Sequence, residues 1–275
     1  MRAAPRRPFE DIAPQPGLAH DAVVARLSQA LEAEVIPRLA RASRLARAVG
    51  TGAAIPDAAA VAVFTDAVLC GDRSGAADSV DALHADGASF ENLCFDLLAP
   101  AARRLGEMWG SDDCDFAAVT AGTWEIRRML RESGARFASV IDQAPTGLCA
   151  LLVTAPEELH TLGLAFAVEY FRRAGWDVDE APVPTLGELA SSVREHRYDI
   201  AGFTIATERR LALLTTSIRA VREASCNPAI VIVVGGSLVG REPRLVTQAG
   251  GDALLNDACT APALARAAVA AAQGI

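Results

Sequence analysis

The sequence predicts an α/β fold: an amino-terminal helical bundle capping a carboxy-terminal, doubly wound, five-stranded parallel sheet of flavodoxin-like order. Three observations predict it. Before residue 140 no apolar alternation with a period of two occurs, and apolar positions recur instead at three- and four-residue steps, the spacing of a helix face. Pro145-Thr146-Gly147 marks a change of pattern. Beyond it, five short apolar runs alternate with five helix-like stretches, the mark of a parallel sheet with helices on its faces.

Residues 1–17 hold four prolines and little periodicity, which predicts a mobile tail. From Asp21 to Ala48, Val24, Leu27, Leu31, Val35 and Leu39 form an amphipathic helical stripe, with Pro37 as a kink. A loop at Gly50–Pro56 follows. Helices are then expected over Ala58–Cys70, Ser74–Asp86, Ser89–Trp109 and Phe116–Val140, punctuated by Gly71, Gly87 and Gly110-Ser111-Asp112-Asp113. The organisation is therefore a tail (1–17), a helical cap (18–145) and an α/β domain (146–275).

In that domain, strands are expected at Leu148–Thr154, Asp177–Val183, Ile200–Ile205, Ala229–Val234 and Ala253–Leu255. Helices are expected at His160–Ala174, Leu186–His196, Arg209–Ala224, Pro243–Ala249 and Pro262–Ala272. In the flavodoxin-like order, ligands bind beyond the carboxyl ends of the strands, between the first and the third. The loops there are Ala155–His160 and Thr204–Arg209, with Gly235-Gly236-Ser237 beside them.

Composition narrows the function. Hydrophobic residues make up 51% and charged residues 22% of the chain, a globular balance. No apolar run is long enough for a membrane span, and the basic start Met1-Arg2-Ala3-Ala4-Pro5-Arg6-Arg7-Pro8 leads into no apolar stretch. A cytoplasmic protein is expected. The net charge of −8 argues against wholesale nucleic-acid binding. All 26 basic residues are arginines, and residues 1–50 carry eight of them against five acids. Arg38, Arg41, Arg44 and Arg47 form a stripe, read either as a solvated helix face or as a docking surface. The six cysteines contain no Cys-x-x-Cys pair and read as small buried hydrophobes in a reducing compartment. No Gly-x-Gly-x-x-Gly follows the first strand, and there is no Gly-Lys-Ser/Thr and no Gly-x-Ser-x-Gly. The first strand lacks the acidic pair of a phospho-acceptor domain, and no catalytic residues are expected.

The first loop reads Glu157-Glu158-Leu159-His160-Thr161-Leu162-Gly163. Two readings stand. His160 is either a surface residue in the first turn of a helix whose acids suit the dipole, or an imidazole aimed off the strand end. In the second case Glu158 holds one ring nitrogen and fixes the tautomer. Gly163, one turn on, would let a large planar ligand approach the backbone. Gly235-Gly236 is a plain turn or a slot, and Gly202 and Thr204 on the third strand are similarly small.

Glu158-Leu159-His160-Thr161-Leu162-Gly163 resembles the Asp-x-His-x-x-Gly signature of cobalamin-binding domains. Thr204-Ile205-Ala206 stands where that family has Ser-x-Leu, and Gly235-Gly236 where it has its Gly-Gly. The resemblance implies cobalamin as cofactor, with His160 as lower axial cobalt ligand. Glu158, Gly163, Thr204, Gly235 and Gly236 would then surround the ligand and its nucleotide tail. Glu for Asp and Thr for Ser are conservative departures, whereas Ala206 for Leu alters the tail pocket. In the helical half, Ala99–Trp109 resembles the cap of CarH-type light-sensing repressors and of methyltransferase corrinoid proteins. There a Trp covers the upper face, so Trp109 is a further cofactor-binding candidate, with an ordinary core aromatic as the other reading. The Glu-His that follows it in the photoreceptors is replaced by Val119-Thr120. Trp124 is read as packing.

The whole arrangement resembles the anti-repressors of photosynthesis gene expression, the AerR/PpaA group. That resemblance implies a light- or redox-responsive regulator, without enzymatic activity, acting on a repressor-type transcription factor by protein contact. No membrane is involved, and direct DNA contact is not expected, since residues 18–50 read as one long helix and not as a helix-turn-helix. Other readings are a corrinoid carrier of a methyltransferase system, a haem sensor using His160 or His84, and an interaction module whose site has decayed.

Overall fold

The first described helix is set by its two ends. Asp57 accepts the Ala60 amide at 2.8 Å and opens α1 (Ala58–Cys70), which stops at Gly71, whose φ of 71° only glycine adopts freely. The computed structural model describes residues 55–274 except 138, 140–141, 159 and 182–183. The expected tail, the helix Asp21–Ala48 and the arginine stripe therefore lie outside the described residues. Asp72 caps α2 (Arg73–Ala85), and a reciprocal Ser89–Asn92 capping box opens the turn Phe90–Asn92. That turn continues through a π-helical segment, Leu93–Leu98, into α3 (Ala99–Gly110). Asp115 caps α4 (Phe116–Gly134).

The expected helix Ser89–Trp109 is thus continuous but over-wide in the middle, which periodicity does not reveal. The expected extension of α4 to Val140 fails for a tertiary reason. Arg173, from the sheet half, lies 3.8 Å from the Phe90 ring centroid and donates to the carbonyls of Gly134 and Phe137. The end of α4 is satisfied by a side chain and not by another turn.

In the second half, β1 (Cys149–Thr154), β2 (Asp177–Ala181), β3 (Ile200–Thr204), β4 (Val231–Gly235) and β5 (Ala253–Leu255) form one parallel sheet of order 2-1-3-4-5. Interleaved are α5 (Leu162–Arg173), α6 (Leu186–Glu195), a 3-10 turn (Glu208–Arg210) leading into α7 (Leu211–Ala224), α8 (Ser237–Arg241), α9 (Pro243–Gln248) and α10 (Ala261–Gln273). Strand residues alternate between two cores: Leu152, Ile200 and Val233 join one, and Leu151, Ala201 and Val234 the other. Among the described residues no helix is long and apolar enough to cross a membrane.

Two features of this frame position the site. Strand register aligns Thr154, Thr204, Gly235 and Leu255 in one row across the carboxyl end of the sheet. The helical core around Phe64, Phe90, Leu98 and Ile126 also takes in Ala165, Tyr170 and Cys259 of the sheet half. The halves share a packed boundary. The cysteines depart from expectation: only Cys94 and Cys259 are buried, whereas Cys70 and Cys226 are exposed.

Candidate functional site

Beyond β1 the chain turns at Glu157, whose φ of 61° lies in the left-handed region rare for a residue with a Cβ. An ion pair to Arg210 anchors it. This turn drives the next side chain inward, so Glu158 is buried under the loop. Its Oε1 lies 2.5 Å from His160 Nδ1 and accepts the His160 amide at 3.1 Å. Its Oε2 accepts the Ala206 amide at 3.0 Å and lies 3.5 Å from Thr207 Oγ1. One carboxylate thus joins the loops after β1 and β3.

Burial alone would raise the Glu158 pKa, but the His160 ring and the two amide donors outweigh it and hold the carboxyl below its ordinary value. A carboxylate accepts and does not donate, so Nδ1 of a neutral His160 carries the proton and Nε2 carries the lone pair. The side chain is 68% exposed. His160 lies in the loop, not in a first helical turn, because the Glu158 carboxylate claims its amide and α5 starts only at Leu162. Thr161 Oγ1 does not cap that helix. It accepts instead from Arg127 Nη1 of α4 at 2.9 Å.

Because the folded-state pKa of Glu158 is depressed, its contribution to stability is present above the unfolded carboxyl pKa and is lost as pH falls through the folded value. Glu158→Gln should therefore unfold at lower urea near neutrality, by ~1–3 kcal/mol. The gap to wild type should narrow as pH drops below the usual carboxylate range. Urea titrations at several pH values would measure it, and a gap constant with pH would refute the assignment.

Next to this pair lies a cavity of ≈ 300 Å³. Gly163, Thr204, Gly235 and Gly236 all line it, together with Gly202 and Leu152 of the strands and Cys94 and Phe95 of the π-helical segment. The glycines differ in what they exclude. A Cβ on Gly202 would strike Leu152 and Val233, and one on Gly236 would strike the Ile205 backbone, so those two serve the protein's own packing. At Gly163 and at Gly240, which also lines the cavity, an added Cβ meets nothing within 4 Å. Two helix glycines without a packing reason leave room for something else. Thr204 Oγ1 is buried and has no hydrogen-bond partner among the described residues, a deficit a ligand's polar atom would repair.

The other candidates fall elsewhere. Trp109 is exposed, stands edge-on to Phe116 at 6.5 Å and does not line the cavity, so it is no core aromatic. Trp124 is half exposed beside the Arg73 guanidinium, contrary to its reading as packing. His84 binds the Arg136 carbonyl at 2.8 Å in the helical half. Arg127, Gly240, Cys94 and Phe95 were not legible as site residues: each gains its meaning from a contact or wall between elements distant in sequence.

Residues 148–264 match the family described as B12 binding domain. This half of the chain is a B12-binding domain. Residues 61–131 match a second family of the same description, which covers α1 to most of α4. A Rhodobacter capsulatus protein, named "Uncharacterized 20.5 kDa protein in bchF-crtJ intergenic region", is 25% identical over 167 residues, 61% of this chain and 86% of that protein. The Methanosarcina barkeri monomethylamine corrinoid protein superposes with a TM-score of 0.61 at 11% identity, covering 74% of this chain and 94% of that one. Its likeness is one of fold.

Cobalamin is the cofactor of this B12-binding domain, and its residues fit that group. Among the described residues no cluster of three or more His, Cys, Asp or Glu side chains could hold a metal unaided. A metal at His160 must bring its other ligands with it, as a corrin does. The extra methylene of Glu158 does no harm, since the carboxylate reaches His160 and Ala206 together.

Proposed function

We propose that this chain is a cobalamin-dependent regulatory protein, with His160 as lower axial ligand to cobalt, that acts on a transcriptional repressor by protein contact. The observation that carries the reading is the His160–Glu158 pair: an exposed imidazole fixed through Nδ1 at the mouth of a cavity with glycine walls. Bound cobalamin supplies a cobalt centre whose upper ligand responds to light or redox state. The chain supplies the rest. Glu158 orients the ring and keeps its lone pair on Nε2, Thr204 offers a hydroxyl to the ligand, and Gly163 and Gly240 leave space for it. Arg127 ties the helical cap to the residue after His160.

The R. capsulatus relative is named for the bchF-crtJ intergenic region. That name, with the sequence resemblance to the anti-repressors, supports a regulator over a carrier or an enzyme. A shift of cap against sheet alters output only when a partner binds the two arrangements unequally.

The test has two arms. After incubation with hydroxocobalamin and desalting, the protein should keep a corrinoid spectrum, whereas a haem-treated sample should not keep haem. Immobilised, cobalamin-loaded protein should then capture a DNA-binding repressor and release it from its operator in a mobility-shift assay, with different strength in light and dark. Capture of methyltransferase components alone would replace this reading with the carrier.

A substitution isolates the pocket. Gly163→Leu adds a side chain where nothing of the protein stands within 4 Å of the new Cβ, so folding should be unchanged. Cobalamin affinity should fall by ~tenfold or more, a loss of ~1.4 kcal/mol or greater. Equilibrium titration followed by absorbance measures it, and unchanged affinity would place the ligand elsewhere.

A further inference from the structure

We infer that the outer face of α1, with the groove between α1 and α4, is covered by the chain's own amphipathic segment, residues 21–48. The argument starts from α1. Its sequence, from Ala58 to Cys70, contains a single charged residue, Asp66, and is apolar all the way round. A helix of that kind needs neighbours on every side. Phe64, Ala67 and Val68 find them in the core, but Ala59, Val63 and Cys70 are exposed.

Beside this face runs a groove of ≈ 760 Å³, with Leu69 and Cys70 on one wall and Phe116, Ala121 and Trp124 on the other. Phe116 is 68% and Trp124 50% exposed. Contiguous apolar surface of this sort on a soluble domain marks a contact site.

The chain's connectivity selects the occupant. Residue 54 joins the described structure at Ile55, also exposed, three residues before α1. α1 is 13 residues long and rises ~20 Å. A preceding helix that ends near Ala48 and doubles back through the short 49–57 connection lies antiparallel to α1. Matched rise for rise, it reaches the groove end of α1 about 13 residues earlier, near Val35. Leu31, Leu27 and Val24 come next along it. These are the residues of its apolar stripe, so the linkage alone delivers that stripe to the groove.

Charge agrees. Exposed Asp112, Asp113 and Asp115 stand in the turn beside Phe116, while residues 1–50 carry eight arginines against five acids. A tethered segment also meets its seat at an effective concentration in the millimolar range, which a free partner does not.

Cys70 reports on the contact. It is exposed in the described structure and lines the groove, and Cys226, exposed at the end of α7, serves as control. In the full-length protein, maleimide labelling resolved by peptide mass spectrometry should modify Cys70 about tenfold more slowly than in a Leu27→Glu/Leu31→Glu variant, a ratio that corresponds to ~1.4 kcal/mol of contact. Cys226 should react equally in the two proteins. The inference is overturned if Cys70 labels equally fast in the wild type and the variant. It is also overturned if its protection disappears on dilution, which would identify a second copy as the occupant. Corrinoid retention measured on the same samples shows independently whether the cobalamin site is intact.

Discussion

His160→Ala should abolish retention of cobalamin through desalting, with affinity reduced on the order of 100-fold or more, since loss even of groups that merely support a metal ligand costs 10–100-fold. Folding should survive, because the ring is largely exposed and its described side-chain bond is the one to Glu158. The urea midpoint therefore checks that the loss is one of coordination. Acid should mimic the mutation in the wild type, since a protonated imidazole has no lone pair to give cobalt. Retention is expected to fall as pH is lowered, and the variant should show no such dependence. If His160→Ala keeps its corrinoid, or if wild-type retention is flat from alkaline to acid pH, the ligand is another group.

The largest effect on folding is expected at Gly236. Its φ is 106°, and a Cβ there would lie 2.3 Å from the Ile205 carbonyl oxygen and 2.8 Å from its nitrogen. Neither atom can retreat. The Ile205 amide donates to the Gly235 carbonyl at 3.0 Å, and its carbonyl accepts from Leu238 at 3.3 Å. Relief would break the end of the β3–β4 ladder and the start of α8 together. Gly236→Ala should cost ~3–5 kcal/mol, at the extreme of single substitutions and a large share of a domain's stability. Gly235→Ala, whose Cβ would stand 3.2 Å from the Leu255 carbonyl, should cost clearly less. Urea unfolding of the pair tests the ranking, and a Gly236→Ala protein within 1 kcal/mol of wild type would refute it.

Legibility followed the range of the forces involved. α1 lies at Ala58–Cys70, as its Asp57 and Gly71 ends foretold, and the five strands and their order followed from short apolar runs separated by helices. Local chemistry also gave Glu158 and His160, because their contact spans two residues. What stayed hidden was tertiary. The end of α4 depends on Arg173, thirty-nine residues away. The five-residue α8 is too short to show a period. Leu93–Leu98 reads as ordinary helix until its wider turn carries Cys94 and Phe95 into the cavity wall. The exposed position of Trp109 had no local sign at all.

The bond from Arg127 to Thr161 gives the molecule a lever. Arg127 sits towards the far end of a 19-residue rod, eleven residues and ~16 Å from Phe116, while Thr161 is covalently next to the imidazole. A tilt of that ring is handed to one point on a stiff shaft whose opposite tip is free of the sheet. Small strokes at the pivot become wider arcs at the tip, with no hinge required.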